Sequence, residues 1–262
     1  MFLINKSIIV PLKGLGVMQI IQSTSTSATF NLATEEYIFS ESPEEILLFY
    51  VNEPSVIIGC NQAIQNEVNL DYCRENNIQI VRRISGGGTV YHDFGNLNFC
   101  FISNKMNERS SLNPNFLKPI VEVLNALGIE VEVGKRKDLW LPGGFKISGT
   151  ASHIGKKREL HHGTLLYDTD LYRLQKALST VQSKTIIKAI PSVPSPIKNI
   201  RNYFQGKDLP AMSINDFVTS FIKEILKLYK LEIVTFLSEA ELEKIRVIQQ
   251  NKYELRDWIF KK

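Results

Sequence analysis

Three consecutive glycines, Gly86-Gly87-Gly88, follow closely on two arginines, Arg82 and Arg83, and a serine, Ser85. Glycine loses more backbone freedom on folding than any other residue and has no side chain to pack. A run of three is therefore kept where backbone must come close to something. Successive N–H groups in such a loop form a concave cradle for a phosphate or carboxylate. A guanidinium beside it can grip an oxyanion through two parallel hydrogen bonds. A short apolar run, residues 78–81, enters the loop, and an alternating aromatic run, residues 96–102, follows it, so the loop joins strands. The plainer reading is a glycine-rich hairpin turn with solvated arginines. It accounts for the glycines but not for the pair of arginines beside them.

The loop is neither of the common nucleotide loops. A P-loop closes on Gly-Lys-Ser/Thr, whereas Gly88 is followed by Thr89 and Val90. A dinucleotide fingerprint opens a helix, whereas Val90 and Tyr91 read as strand.

The 262 residues allow one large domain or two modest ones. A net charge of +4 is too small to argue for nucleic acid. No apolar run reaches the ~18 residues of a membrane helix, so no membrane span is expected. Cys60, Cys73 and Cys100 are odd in number and lack metal-ligand spacing, which fits free thiols in a cytoplasmic protein. Lys6, Pro11, Lys13, Gly14 and Gly16 break up the apolar start, so no signal peptide is read there. Met18 is a second candidate start, and residues 18–262 form the expected catalytic domain.

In chain order, the pattern predicts a strand at 19–22, a helix at 28–40, and strands at 46–51 and 56–58 joined by a tight Asn-Glu-Pro turn. A short helix at 68–75 precedes the strand into the glycine loop. Residues 114–127 read as an amphipathic helix with Pro114 in its first turn and Gly128 past its end. A strand at 129–133 leads to a second informative stretch, Lys135-Arg136-Lys137-Asp138, then a turn at Pro142-Gly143-Gly144, then Phe145-Lys146-Ile147-Ser148. Strand alternation puts Lys146 and Ser148 on one face. A lysine so held can serve as a fixed point charge for phosphate; a solvent-facing edge lysine is the alternative. A charged turn at 155–159, a strand at 160–167 and a helix at 168–178 follow. Residues 190–197 read as a proline-rich surface loop. The chain closes with a helix at 214–229, a short strand at 231–234 and a helix at 238–250 capped by Ser238 and Glu241.

All four histidines, His92, His153, His161 and His162, lie after the glycine loop. Adjacent His161 and His162 face opposite sides of a strand and no His-x-x-x-His pair exists, so no protein-held metal is expected. Ser85 and Ser148 lack a Gly-x-Ser-x-Gly elbow. Cys60 follows a strand-ending glycine and reads as a structural thiol rather than a nucleophile.

Taken together, Asn31-Leu-Ala-Thr-Glu-Glu, Pro54-Ser-Val-Ile-Ile-Gly, Arg82-Arg-Ile-Ser-Gly-Gly-Gly-Thr-Val-Tyr-His-Asp, Lys146-Ile-Ser-Gly-Thr-Ala and His161-His-Gly-Thr-Leu-Leu resemble the lipoate–protein ligase A family. The likeness runs in order from about Met18 to the end. It implies an α+β fold of the biotin/lipoate ligase type, with a mixed, largely antiparallel sheet flanked by helices. It implies a two-step reaction: ATP with Mg²⁺ and lipoate give lipoyl-adenylate, and the acyl group then passes to a lysine of a lipoyl domain. Acceptors would be acyltransferase subunits of 2-oxoacid dehydrogenases and the glycine-cleavage H protein. By the same resemblance Lys146 is catalytic, bridging adenylate phosphate and acyl carbonyl. Gly88, Thr89, Val90 and Tyr91 line the nucleotide with their backbone, beside Arg83 and Asp138; Gly87, His92 and Lys146 meet lipoate. Strands around Ile57 and Phe99 are candidates for the acyl tunnel, and the turn Lys156-Lys157-Arg158 for docking an acidic acceptor domain.

Three departures bear on that expectation. Cys60 stands where the family often has arginine. Of the family's Gly-Arg-Asn-Asp, only Arg136 and Asp138 carry over. Two-domain ligases continue well past the segment resembled by Trp258 to Phe260. The alternatives are therefore an accessory protein supplying adenylation, or an octanoyl or lipoyl acyltransferase. A Cys-thioester transferase is disfavoured because no cysteine follows Cys100. A binding module that needs a partner is the non-enzymatic alternative.

Overall fold

The computed structural model describes residues 18–105, 115–178, 189–204 and 212–261. The candidate start region 1–17 and Pro114 lie outside the described residues. Eleven strands are present among them: β1 (Gln19–Gln22), β2 (Ile46–Tyr50), β3 (Ser55–Ile58), β4 (Gln79–Arg82), β5 (Val90–His92), β6 (Asn96–Asn104), β7 (Glu132–Val133), β8 (Leu139–Leu141), β9 (Phe145–Ser148), β10 (Thr150–Ile154) and β11 (Arg158–Leu166). The helices are α1 (Ala28–Glu41), α2 (Ile64–Glu67), α3 (Leu70–Glu75), α4 (Lys118–Ala126), α5 (Leu171–Leu178), α6 (Arg201–Phe204), α7 (Ile214–Tyr229), α8 (Glu239–Ile248) and α9 (Arg256–Ile259).

The central sheet runs β1-β2-β6-β11-β10 and is antiparallel except at the β1–β2 edge. Its nine-residue centre, β6, is aromatic and β-branched, and seven of its residues are buried, as a strand covered on both faces must be. One face packs on α4 and α7. There Phe217, Phe221 and Ile225, spaced four apart, lie on one stripe of α7. Fully burying a side chain such as Phe221 stabilises by about 1.5–3 kcal/mol. The other face receives α1, whose Ser27 cap accepts from the Phe30 N–H, together with Ile245 and Tyr253 near the C-terminus. A smaller sheet, β4-β3-β5, carries the glycine loop at its end, and a third, β7-β8-β9, carries Lys146. The expected α+β architecture is the one observed.

Several local expectations need correction. β2 and β3 are not a hairpin: they belong to different sheets, so the Asn-Glu-Pro turn is a crossover between them. Residues 231–234 form no strand; Thr235 makes an isolated bridge to Ile21. The strand expected from 129 shortens to Glu132–Val133, because Ile129 turns into the main core. α5 starts at Leu171, because the Asp168 N–H is spent on the Gly95 carbonyl and that of Thr169 on Asn199. The Ser238–Glu241 capping box is present, but α8 yields after Ile248 to a π-turn, Gln249–Tyr253.

Candidate active site

The glycine loop and the β9 strand meet across a pocket of about 330 Å³. Its open side is polar, with Arg136, Asp138 and Lys146 facing Gly87, Gly88 and Thr89. Its inner wall is formed by Leu32, Tyr50, Ile57, His92, Asn98 and His162, all buried.

Backbone geometry requires the glycines. Gly87 has φ +83°, a conformation that L side chains rarely adopt, and a Cβ there would lie 3.1 Å from the Arg83 guanidinium. A Cβ on Gly59 would fall 2.2 Å from the Gly87 carbonyl, so two glycines let one turn pass over another.

The two arginines do not stand free to grip a ligand, as the sequence suggested. Arg83 is buried. It donates to the carbonyls of Ile57 (3.0 Å), Gly86 (2.6 Å) and Gly88 (2.7 Å) and to Ser85 Oγ (2.9 Å). Burial lowers its pKa to about 10. Arg82 is likewise buried, and donates to the carbonyls of Gly59, Gln62, Ile259 and Lys261. Arg83 builds the loop from behind by satisfying the Gly86 and Gly88 carbonyls of the three-glycine turn, while Arg82 ties the turn at Gly59 and Gln62 to the C-terminal segment at Ile259 and Lys261. At the end of the loop Thr89 N–H donates to Ser192 Oγ at 2.8 Å, and Gly87, Gly88 and Thr89 line the pocket.

Lys146 is the pocket-side cation. Its Nζ lies 3.2 Å from Asp138 Oδ2, with Arg136 a further 3.7 Å partner of that oxygen. Burial pushes the Asp138 carboxyl upward, but hydrogen bonds from Trp140 and Lys146 and the Lys146 charge outweigh it and leave it below the usual range. Asp138 therefore anchors the lysine, as an anion that stays ionised.

Beneath the loop lies a relay that the sequence did not announce. Glu35, buried on α1, accepts from Tyr50 Oη (2.9 Å) and meets His162 Nδ1 (2.8 Å); His162 Nε2 meets Ser85 Oγ (2.6 Å). Three distant segments are thus tied to the residue preceding the glycines. Replacing Glu35 with alanine strands Tyr50 and His162 in a buried site and should destabilise by about 2–4 kcal/mol. Urea unfolding reads this, and Glu35→Gln should recover about half.

Of the residues expected at the site, Arg83, Gly87, Gly88, Thr89, Val90, His92, Asp138 and Lys146 line this one pocket. Tyr91 does not: its ring turns to the opposite face of β5 and packs with Val56 and Ile58. Ile57 lines the pocket, but Phe99 lies in the core, edge-on to Phe101. Cys60 is half-buried rather than enclosed, while Cys73 and Cys100 are buried. His161 stacks on Phe116 and His153 packs against Phe39. Of the basic turn, Arg158 is buried and donates to Asn104 and Glu44, leaving Lys156 and Lys157 exposed. Leu32, Tyr50, Asn98 and Ser192 were not singled out as site residues; apolar or amide positions on buried elements carry no local signature of a site.

A glycine loop braced by buried Arg83, facing an anchored lysine over an apolar-walled cleft, suits an enzyme that handles acyl or phosphoryl groups. The comparisons agree. Residues 27–226 match the lipoyl protein ligase A/B catalytic domain, and the chain belongs to that family. It is 38% identical over 232 residues to the lipoate–protein ligase LplJ of Bacillus subtilis (strain 168), covering 87% of this chain and 69% of that one. It is 44% identical over 186 residues to the human lipoyl amidotransferase LIPT1, covering 69% of this chain and 49% of the relative. The fold superposes with TM-score 0.76 on the bi-partite lipoate protein ligase of Thermoplasma acidophilum, at 25% identity over 94% of this chain and 97% of that one. A lipoate–protein ligase A bound with ATP gives TM-score 0.73 at 26% identity, covering 94% and 98%. Among the described residues no helix is long and apolar enough to cross a membrane.

Proposed function

We propose that this chain activates lipoate with ATP as lipoyl-adenylate and passes the lipoyl group to a lysine of a lipoyl domain. The observation that carries the reading is the position of Lys146, held by Asp138 opposite the Gly87–Gly88 backbone at the polar end of an apolar-walled pocket. The carboxylate of the acid and the α-phosphate meet at that end. As the carboxylate oxygen attacks the α-phosphate, the bond to the departing pyrophosphate breaks; charge builds on the phosphoryl oxygens, and Lys146 with the loop N–H groups stabilises it. In the second step Lys146 remains beside the acyl carbonyl and stabilises the oxyanion formed by the incoming neutral amine, which gives up a proton as the bond to the departing AMP breaks.

Asp138 is the one carboxylate in the pocket wall among the described residues, and two cations already claim it. Buried Glu35, Cys100 and His162 lie close enough to hold an ion, but the oxygens of Glu35 and both nitrogens of His162 are already committed. Mg²⁺ thus fits as a companion of the nucleotide, held by phosphate oxygens, and would supply charge neutralisation there.

Two features support a second reading, transfer without adenylation or adenylation with an accessory protein. The human relative is a lipoyl amidotransferase, and the archaeal neighbour is a bi-partite lipoate protein ligase. Lipoate-dependent exchange of labelled pyrophosphate into ATP separates the readings. Exchange by the chain alone is expected; transfer from supplied lipoyl-adenylate without exchange would favour the second.

A further inference from the structure

The third glycine of the loop makes room for a serine from a distant part of the chain. A Cβ on Gly88 would lie 3.0 Å from Ser192 Oγ and 3.3 Å from Ser192 Cβ, closer than side chains ordinarily pack, so bare backbone at Gly88 suits this approach. Ser192 belongs to a strap, residues 190–198, that joins the two walls of the pocket. Its N–H donates to Glu67 Oε1 at 3.1 Å. Further along, Lys146 N–H donates to the Pro196 carbonyl at 2.8 Å, and Lys198 N–H to the Lys146 carbonyl at 3.2 Å. None of these bonds uses the Ser192 side chain.

The neighbours of the Ser192 hydroxyl fix what it can do. Gln62 is buried, and its Oε1 accepts from Gly59 N–H at 3.0 Å. A backbone N–H can only donate, so the amide cannot be turned round. Oε1 also accepts from Thr89 Oγ1 at 2.9 Å. Gln62 Nε2 therefore faces the strap, and donates to the Ile190 carbonyl at 3.3 Å and to Ser192 Oγ at 3.2 Å. Thr89 N–H donates to the same oxygen at 2.8 Å. A hydroxyl has two lone pairs and one proton. Both lone pairs of Ser192 Oγ are taken, and its proton has no acceptor among the described residues. The side chain is half-buried and lines the pocket with Gly87, Gly88, Thr89 and Lys146.

We propose that Ser192 Oγ–H is a further donor to a non-bridging oxygen of the reacting α-phosphate. This rests on the ligase reading above. Thr89 N–H is engaged by the serine, and the hydroxyl carries its polarity one link further toward the ligand. An O–H whose oxygen already accepts two bonds is the stronger donor, because hydrogen bonds in a chain polarise one another. Held in place before the reaction, it stabilises the charge that builds on the phosphoryl oxygens without having to reorganise.

The test measures lipoate-dependent pyrophosphate release by wild type, Ser192→Ala and Ser192→Thr. The nucleotides are ATP and the two diastereomers of ATP with sulfur in place of one non-bridging α-oxygen. Sulfur is a weak acceptor, so wild type should react more slowly with the diastereomer whose sulfur meets the hydroxyl. Ser192→Ala should lower kcat/KM for ATP by about 10- to 100-fold, the size of one hydrogen bond to a charged group, and should shrink the difference between diastereomers by a similar factor. Ser192→Thr keeps the hydroxyl and should recover most of both. The strap's backbone bonds survive these changes, so the fold should hold. A role in structure alone would slow all three nucleotides equally. An unchanged diastereomer ratio in Ser192→Ala, or wild-type rates in that variant, would overturn the proposal and leave the ligase reading intact. No pyrophosphate from wild type would overturn both.

Discussion

Lys146→Ala should lower the rate of adenylate formation by about 10²–10³ or more, the loss found when one preorganised oxyanion donor is removed, without changing the fold. Lys146 sits on the short third sheet, partly exposed, and its amine contacts Asp138 rather than the core. Its loss leaves Asp138 with the half-exposed Arg136, so thermal stability should move little. On the proposed mechanism the same amine serves both reacting centres, so transfer from supplied lipoyl-adenylate should fall as well. Lys146→Arg should not rescue, since a planar fork cannot take the place of a compact point charge. Stopped-flow or quenched assays of each half-reaction, beside circular dichroism, check this. Wild-type rates would remove Lys146 from the mechanism.

Arg83→Ala should act on structure first and binding second. The variant strands the Ile57 carbonyl in a buried site and those of Gly86 and Gly88 in a partly buried one; at about 1–3 kcal/mol for an unsatisfied buried group, and less where water reaches, a net loss of about 2–4 kcal/mol is expected. Nucleotide affinity should fall because the loop no longer presents its N–H groups in one geometry. Calorimetric titration with ATP and urea unfolding together separate this from a direct phosphate contact, which would weaken binding while leaving stability unchanged.

The difference between these two variants shows how far the sequence could be read. The glycine run announced a close backbone approach, and Gly59 against Gly87 is such an approach. Lys146 was placed on a strand by alternation, and it is on one. The direction of Arg83 was not legible, because a guanidinium beside a glycine loop looks the same whether it faces ligand or carbonyls. Only its burial distinguishes them. The links of the Glu35–His162–Ser85 relay join residues 127 and 77 positions apart. No periodicity or spacing rule reaches that far. The Tyr91 ring turns from the pocket because in β5 it alternates with Val90 and His92.

The lysine and the braced loop together carry the central proposal that this chain forms an acyl-adenylate and delivers the acyl group itself. The most direct measurement is the intact mass of an apo lipoyl domain after incubation with the purified chain, lipoate, ATP and Mg²⁺, with pyrophosphate followed in parallel. The account predicts one added lipoyl group per acceptor, matched by pyrophosphate and absent without ATP. Modification only from a preformed acyl-protein or adenylate donor, with no pyrophosphate from ATP, would contradict it.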